Sequence, residues 1–386
     1  MTMRFLQTER RVVDEVFPGL AKNIDEIPWA EREKVGNPCL GLFRDAGGPG
    51  LLIPEQYGGR GVDPVDAVRA HRAVGMLSPS LGIATTMHHF SLVPVLAVAA
   101  IGDGAELAFI SEVARNGLLV ASGFAEGRSG QGIMHPTLVA KPCDGGFLVS
   151  GHKRPCSLAS SMDFLTASAI IPGQDADELA FVLVPAGCPG VIVEKFWRAD
   201  ALGGAESDSV ELAEVFIPTE LVVRAGAGPD SPLDTVQSVG FLWFELLVSA
   251  NYLGVASRLA EQVLEKTSLS AGLRVEPALA LEGAMSGLEN VARRIPPVEQ
   301  SAATTPDVLE ELLGQALAAR YAAQEVARRV ADSCFELLGG IAFATEPEIA
   351  QRVIACHALA FHPPSRARNA ENLVDYLTGA APLRLV

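Results

Sequence analysis

The spacing of apolar residues changes twice along the chain, and this order of patterns restricts the fold more than any other feature of the sequence. From about residue 3 to residue 117, apolar residues recur every three or four positions, which predicts helices separated by Gly and Pro. Between Leu118 and Val223 the apolar runs become short and β-branched and end at Gly, Pro or Asp, which predicts strands. The helical spacing returns after the Gly- and Pro-rich residues 225–232. We therefore predict an α+β fold with an N-terminal helical domain (1–117), a middle β domain (118–224) and a C-terminal helical domain (225–386).

Several turns and helix ends can be predicted from single residues. Asp144-Gly145-Gly146 lies between two strand-like runs and predicts a hairpin, because glycine adopts the positive φ that tight turns need. In the C-terminal part we predict long helices that begin at Phe241, Val308 and Glu348, and the third of them stops at Pro363-Pro364. Between the first two we predict a short helix that begins at Ala278.

Charge and composition exclude several classes of partner. Acidic residues outnumber basic ones by 46 to 30, which gives a formal net charge of -16. Such a chain does not offer the basic surface that nucleic acid or anionic lipid requires. The first residues are charged, and no uninterrupted apolar run of about 18 residues follows, so we expect a cytoplasmic protein with no membrane partner. The six cysteines form no CxxC pair, so we expect neither a disulfide framework nor a metal site.

One local motif carries a resemblance to a known family. The run from Pro54 to Gly61, PEQYGGRG, resembles the helix-to-loop signature of the acyl-CoA dehydrogenase superfamily, and the order helices, β domain, helices is also that of the superfamily. The resemblance implies an acyl-CoA dehydrogenase-like fold with an N-terminal helical domain, a middle β-barrel domain and a C-terminal helical bundle. It also implies a homodimer or homotetramer formed through the C-terminal helices.

The same resemblance implies a flavin cofactor, FAD or alternatively FMN. Residues 125–131 and 151–157 are similar to the two flavin-binding segments of the family. Glycine lets the main chain approach the ring, and the Ser157 hydroxyl would lie near its N5 and O4 atoms. The run from Glu336 to Gly340 resembles the element that in the family reaches the dinucleotide of a neighbouring subunit. The candidate cofactor-binding residues are therefore Phe124, Ala125, Glu126, Gln131, Cys156, Ser157, Glu336, Gly339 and Gly340.

The family's usual catalytic glutamate is absent, because its turn here reads Phe361-His362-Pro363-Pro364. Glu245 is the candidate replacement, since a carboxylate on a buried helix can acquire the raised pKa of a general base. Glu245 lies one residue from the position that carries the base in some relatives, an offset that turns a helical side chain by about 100°. The alternative interpretation is a structural glutamate neutralised by an arginine.

A second set of residues resembles the reduced-flavin monooxygenases of the same fold. These enzymes use a serine in the β domain and histidines from both helical domains to hold the oxygenated flavin, and this chain has Ser157, the pair His88-His89, and His362. The Arg-x-x-Phe-Gly segment that binds the flavin pyrophosphate in the family is missing, which predicts a more loosely held flavin. The candidate catalytic residues are Glu245 and His362, and the candidate substrate-binding residues are His89, Phe244 and Phe361.

Three functions are consistent with these observations. The fold favours a flavoenzyme that dehydrogenates the α and β carbons of an acyl thioester carried on coenzyme A or a carrier protein. The residue chemistry around Ser157 and His362 favours a monooxygenase that uses reduced flavin and O₂ on another small-molecule substrate. The degraded flavin segments also allow a non-catalytic family member that acts as an interaction partner.

Overall fold

The computed structural model describes residues 3–99, 105–127, 135–173, 177–224, 233–301 and 304–385. Its N-terminal part is helical, and the helix Pro64–Leu77 shows how the sequence sets the boundaries. The Asp63 side chain caps this helix by accepting hydrogen bonds from the backbone N–H groups of Val65 and Asp66, and Pro64 occupies the first turn. The helices are α1 (Gln7–Val16), α2 (Leu20–Asp25), α3 (Trp29–Arg32), α4 (Cys39–Asp45), α5 (Pro64–Leu77), α6 (Pro79–Ala99) and α7 (Ala105–Asn116).

The PEQYGGRG run folds back on the residues before it. The N–H of Gly61 donates to the carbonyl of Ile53 at 2.8 Å, and that of Val62 donates to Leu51 at 3.1 Å. A Cβ at Gly59 would lie 2.0 Å from the Ile53 carbonyl oxygen, so only glycine fits there. The motif is therefore a structural element of the fold.

The middle part is a mixed eight-stranded sheet with the order β6-β7-β3-β2-β4-β5-β8, in which β1 pairs with β4 in parallel. The predicted hairpin is confirmed, because β2 and β3 pair antiparallel around Gly145, whose φ is 73°. The strands are β1 (Val120–Gly123), β2 (Val139–Cys143), β3 (Gly146–Cys156), β4 (Phe164–Ile171), β5 (Glu178–Pro185), β6 (Val191–Glu194), β7 (Asp208–Pro218) and β8 (Val222–Arg224).

The C-terminal part is helical, and its central helix α8 packs against α5, α6, α9, α11 and α12. Helix α9 confirms the predicted helix between the two long ones, but it begins at Ala271, so the predicted start at Ala278 was wrong. Pro277 is buried inside the helix, where tertiary packing outweighs the hydrogen bond that proline removes. The helices are α8 (Thr235–Glu265), α9 (Ala271–Ala292), α10 (Val298–Ser301), α11 (Pro306–Thr345), α12 (Pro347–Ala358) and α13 (Ala370–Thr378).

Among the described residues, two helices are long and apolar enough to cross a membrane by length and composition alone. These are α6 and α8, and in their most apolar windows 94% and 100% of the residues are buried inside the protein. Burial against neighbouring elements accounts for their composition, because a helix that is apolar all round is typical of a protein core as well as of a membrane span.

Three buried histidines lie in the N-terminal helices. The ring of His89 lies 5.0 Å from that of His88 and 5.3 Å from that of His71, measured between centroids. His88 joins two segments, since its Nδ1 accepts from the Val120 N–H at 3.0 Å and its Nε2 donates to the Pro49 carbonyl at 3.0 Å. Burial lowers the pKa of His71 and of His88 to about 4 and that of His89 well below its usual value.

We expect these histidines to make the fold sensitive to mild acid. In the unfolded chain they bind protons below about pH 6.5, whereas His71 and His88 stay neutral in the folded state down to about pH 4, so stability present above pH 6.5 is lost as the pH falls through this window. Each histidine contributes a loss of about 1.4 kcal/mol per pH unit. Thermal unfolding measured across this range should show a falling midpoint. His71→Leu should reduce the slope, and the exposed His152→Gln should leave it unchanged; a midpoint that does not vary with pH would contradict the prediction.

Candidate active site

A cavity of about 310 Å³ lies where the N-terminal helices, the sheet and the C-terminal helices meet. Helix α6 contributes Ile83, Met87 and Phe90 to its wall, and α8 contributes Phe244. The described serines that line it on the sheet side are Ser122, Ser157 and Ser207, and the hydroxyls of the last two lie 2.9 Å apart. The cavity is thus mostly apolar with a few polar groups on one side, as in small-molecule sites.

The segment after β1 brings three of the predicted cofactor-binding residues, Phe124, Ala125 and Glu126, to this wall. It is held to the end of β3, because the Arg154 N–H donates to the Ala125 carbonyl at 2.8 Å. Gly127 follows with a φ of 62°, and a Cβ there would lie 2.9 Å from the Arg154 side chain. A glycine is therefore required for this close approach.

Glu126 is tied to its neighbours by several hydrogen bonds. The buried Lys153 ammonium donates to it at 2.7 Å, and the Thr137 N–H and hydroxyl donate to it at 2.7 and 2.6 Å. Burial alone would raise the pKa of Glu126, but the bonds from Lys153 and Thr137 hold that pKa below its usual value. Glu126 is therefore ionised at neutral pH, and it links the residues that follow β1 to Thr137, just before β2.

Of the other predicted cofactor-binding residues, Ser157 lines the cavity and the remaining described ones do not. Cys156 is fully buried next to Ser157 and does not line the cavity, and Gln131 falls outside the described residues. Glu336 and Gly340 are exposed near the end of α11, and Gly339 interrupts that helix with a φ of 86°. Within one chain, the run from Glu336 to Gly340 thus contributes nothing to the wall of this cavity.

His362 lines the cavity, on the turn that follows α12. Its Nε2 lies 2.9 Å from the hydroxyl of Tyr252 on α8. Burial and then the nearby Arg320 lower the pKa of His362 to about 3, and burial raises the pKa of Tyr252 above its usual value. Both groups are therefore neutral. We assign the tautomer in which the phenol donates to Nε2 and Nδ1 carries the ring proton.

The turn that carries His362 is anchored by the buried Arg320 of α11. The Arg320 guanidinium donates to the carbonyls of His362, of Pro364 at 2.9 Å and of Leu359 at 3.3 Å. The Tyr321 hydroxyl adds a bond of 3.1 Å to the Pro364 carbonyl. The Arg320 side chain thus satisfies three main-chain acceptors of the turn.

Glu245 pairs with Arg320 and does not line the cavity. Its carboxylate lies 3.0 Å from a guanidinium nitrogen, and both side chains are fully buried. Burial raises the pKa of Glu245 to about 7, against the opposing effect of Arg320. The structure thus places Glu245 behind the His362 turn, which supports the interpretation as a glutamate neutralised by an arginine over that of a catalytic base.

The three predicted substrate-binding residues have different positions. Phe244 is buried and lines the interior of the cavity, whereas Phe361 lines it with 83% of its surface exposed, at the mouth. His89 does not line it. Its ring packs against those of His71, His88 and Phe43, so the prediction of a substrate contact is not supported.

Sequence reasoning missed Tyr252, Arg320 and Ser207. For the first two a signal existed, because each is a polar residue in an otherwise apolar stretch of a long helix. For Ser207 there was none, since it lies in a loop before β7 and reaches Ser157 only through the pairing of β7 with β3.

Comparison with known proteins supports the same family. The sequence profile described as "Acyl-CoA dehydrogenase, N-terminal domain" matches residues 3–103. Isobutylamine N-hydroxylase of Streptomyces viridifaciens is 42% identical over 390 positions, which cover 99% of this chain and 100% of that protein. Dibenzothiophene monooxygenase of Rhodococcus qingshengii is 24% identical and covers 92% of this chain and 90% of its own. Among solved structures, KijD3 in complex with FMN and a dTDP-linked amino sugar has a TM-score of 0.84 at 18% identity, covering 98% of this chain and 95% of its own.

The chain therefore belongs to the acyl-CoA dehydrogenase superfamily of flavin-dependent oxidoreductases. Within it, the chain belongs to the same family as isobutylamine N-hydroxylase. The predicted fold class is confirmed. The reaction that the fold favoured, dehydrogenation of an acyl thioester, is supported less well than the monooxygenase alternative, because the two named relatives are an N-hydroxylase and a monooxygenase.

Proposed function

We propose that this protein is a flavin-dependent monooxygenase that hydroxylates the nitrogen of a small, apolar primary amine. The observation that carries the proposal is the 42% identity to an amine N-hydroxylase over the full length of both chains. The site agrees with it. Among the described residues that line the cavity, Glu126 is the one carboxylate. Lys153 and Thr137 hold it by hydrogen bonds, so it is not placed to act like the family's catalytic glutamate and remove a proton from an acyl carbon.

The wall beside Ser157 suits a flavin ring. The hydroxyls of Ser157 and Ser207 can hydrogen-bond to the ring, and Gly127 lines the cavity without a side chain, so its main chain can approach the ring. The proposed cofactor is FAD or FMN. When reduced, the flavin would supply two electrons and two protons. With these, one O₂ and one amine become one hydroxylamine and one water, and the flavin is left oxidised.

The apolar wall favours the neutral form of an amine. A primary alkylammonium such as that of lysine has a pKa of about 10.4 in water, and burial among apolar groups lowers it. The Glu126 carboxylate is neutralised by Lys153, so it does not favour the ammonium strongly. A neutral amine keeps the lone pair with which the nitrogen attacks an electrophilic oxygen, and the neutral His362 can hydrogen-bond to the reacting groups through Nδ1.

The proposal includes a homodimer or homotetramer in the cytoplasm. Support for association comes from apolar side chains exposed near the end of α11, where Ile341 is 81% and Phe343 58% exposed.

The test is to supply chemically reduced FMN or FAD in air with isobutylamine and related amines and to analyse the products by mass spectrometry. We expect a hydroxylamine that carries one atom from isotopically labelled O₂. In parallel, acyl-CoA thioesters would be added anaerobically to the protein reconstituted with oxidised flavin. Bleaching of the flavin by a thioester, without hydroxylamine from any amine, would overturn the proposal in favour of dehydrogenation. Neither reaction, in a protein that binds flavin, would favour a non-catalytic role.

A further inference from the structure

A second, smaller cavity lies directly behind one wall of the candidate active site. Its volume is about 20 Å³, and its lining includes Pro94 of α6, Phe181 of β5 and Phe241 of α8. Phe90 and Phe124 line both cavities. These two side chains therefore form the partition between the two spaces.

The partition belongs to a cluster of aromatic rings with Phe90 at its centre. The centroid of the Phe90 ring lies 4.9 Å from that of Phe124, 4.8 Å from Phe244 and 5.8 Å from Phe241. Phe124 in turn lies 6.0 Å from Phe181. Rings in contact on several sides have little freedom to swing aside, so the partition is a fixed wall.

The space behind the wall is small and mostly apolar, and Gly240 lines it without a side chain. A Cβ at Gly240 would lie 3.1 Å from Pro94 and 3.9 Å from Phe90, so room for further atoms depends on removing the Phe90 ring. The polar residues among its lining are Ser168 and Gln237, and the rest are apolar or glycine. Removal of the Phe90 ring would join this space to the main cavity.

The main cavity leaves little room for a substrate beside a flavin. At about 310 Å³ it is at the small end of the range for small-molecule sites, and the flavin ring proposed next to Ser157 must share it. Ser157 follows β3 on the sheet side of the cavity, and Phe90 is on α6. A substrate that lies against the flavin ring is therefore bounded by α6, where the Phe90 side chain forms the wall.

We propose that Phe90 sets the upper limit on the length of the apolar chain of the substrate, and that the cavity behind it is a closed continuation of the substrate site. This inference rests on the proposed function for the identity of the reactive group, an amine. The limit on chain length does not require that the amine react, so binding alone can test it.

The experiment compares wild type with Phe90→Ala and the milder Phe90→Leu on linear primary amines from propylamine to decylamine. Binding to the protein reconstituted with oxidised flavin would be measured by calorimetry, and kcat/KM with reduced flavin and O₂. Each methylene that fits or fails to fit an apolar pocket changes discrimination by about 10-fold or more. We expect the longest accepted amine to grow by about two methylene groups in Phe90→Ala and by fewer in Phe90→Leu.

Phe109→Ala is the matched control, because Phe109 is a buried ring that packs on Phe164 at 5.0 Å and lines neither cavity. It should keep the wild-type length profile. A wild-type protein that makes no hydroxylamine would contradict the proposed function, while the binding series would still test the wall. Folded Phe90→Ala and Phe90→Leu proteins with the wild-type length profile in binding would overturn the inference.

Discussion

Replacement of His362 by alanine is expected to lower hydroxylamine formation by about 10²- to 10⁴-fold, the range typical for loss of a positioned group that donates or accepts a proton. The neutral imidazole lines the cavity and is oriented by the Tyr252 hydroxyl at 2.9 Å. Without it, oxygen consumption should continue but release hydrogen peroxide. The measurement is the ratio of hydroxylamine to hydrogen peroxide per O₂ consumed.

Two further variants test whether the loss of coupling depends on His362 and on its orientation by Tyr252. Tyr252→Phe keeps the ring and removes the hydroxyl, so it should shift the same ratio by a smaller factor. His357→Ala is the matched control, because His357 is on α12, lies 3.0 Å from Asp332 and does not line the cavity. If His362→Ala couples oxygen use to hydroxylation as well as wild type does, His362 has no part in the reaction.

The Arg320→Met variant should show the second large effect, on stability and on coupling together. The substitution leaves the Glu245 carboxylate buried without its cation and removes the donor to three carbonyls of the His362 turn. Removal of one member of a buried ion pair typically costs about 3–5 kcal/mol. The free energy of unfolding, from denaturant titration with flavin absent, measures this loss.

A structural role alone would change stability without changing the fate of oxygen in the folded protein. Because Arg320 positions the turn, we expect Arg320→Lys, which keeps a charge but lacks the planar fork, to raise hydrogen peroxide release at a temperature where it is fully folded. Arg328→Met is the control, since Arg328 forms exposed pairs with Glu325 and Asp332 worth less than about 1 kcal/mol. Full coupling in folded Arg320→Lys would show that the arginine is structural only.

Glu245 illustrates how far the sequence could be interpreted. The apolar residues around it indicated a buried carboxylate, and the structure agrees. The direction of its side chain depends on which helix packs on which face of α8. Neighbouring residues on a helix point about 100° apart, so Phe244 reaches the cavity while Glu245 meets Arg320 of α11, which lies 75 positions away in the chain.

The histidine pair gives a similar result. The residues His88 and His89 suggested that one imidazole could reach a reaction site, yet both are packed inside the N-terminal helices. His362 does line the cavity. Burial and Arg320 keep it neutral and Tyr252 orients it, and neither of these two residues is near His362 in the sequence.

By itself, the sequence determined the order of helices and strands, the β2–β3 hairpin and the superfamily, because hydrophobic periodicity, glycine turns and the PEQYGGRG run depend on residues close together in the chain. The tertiary structure alone decided which polar residues meet at the cavity, that Glu245 is paired away from it, and that Phe90 closes it. Each of these depends on side chains brought together from separate helices and strands, and their mutual burial sets both their charge state and the space left for a substrate.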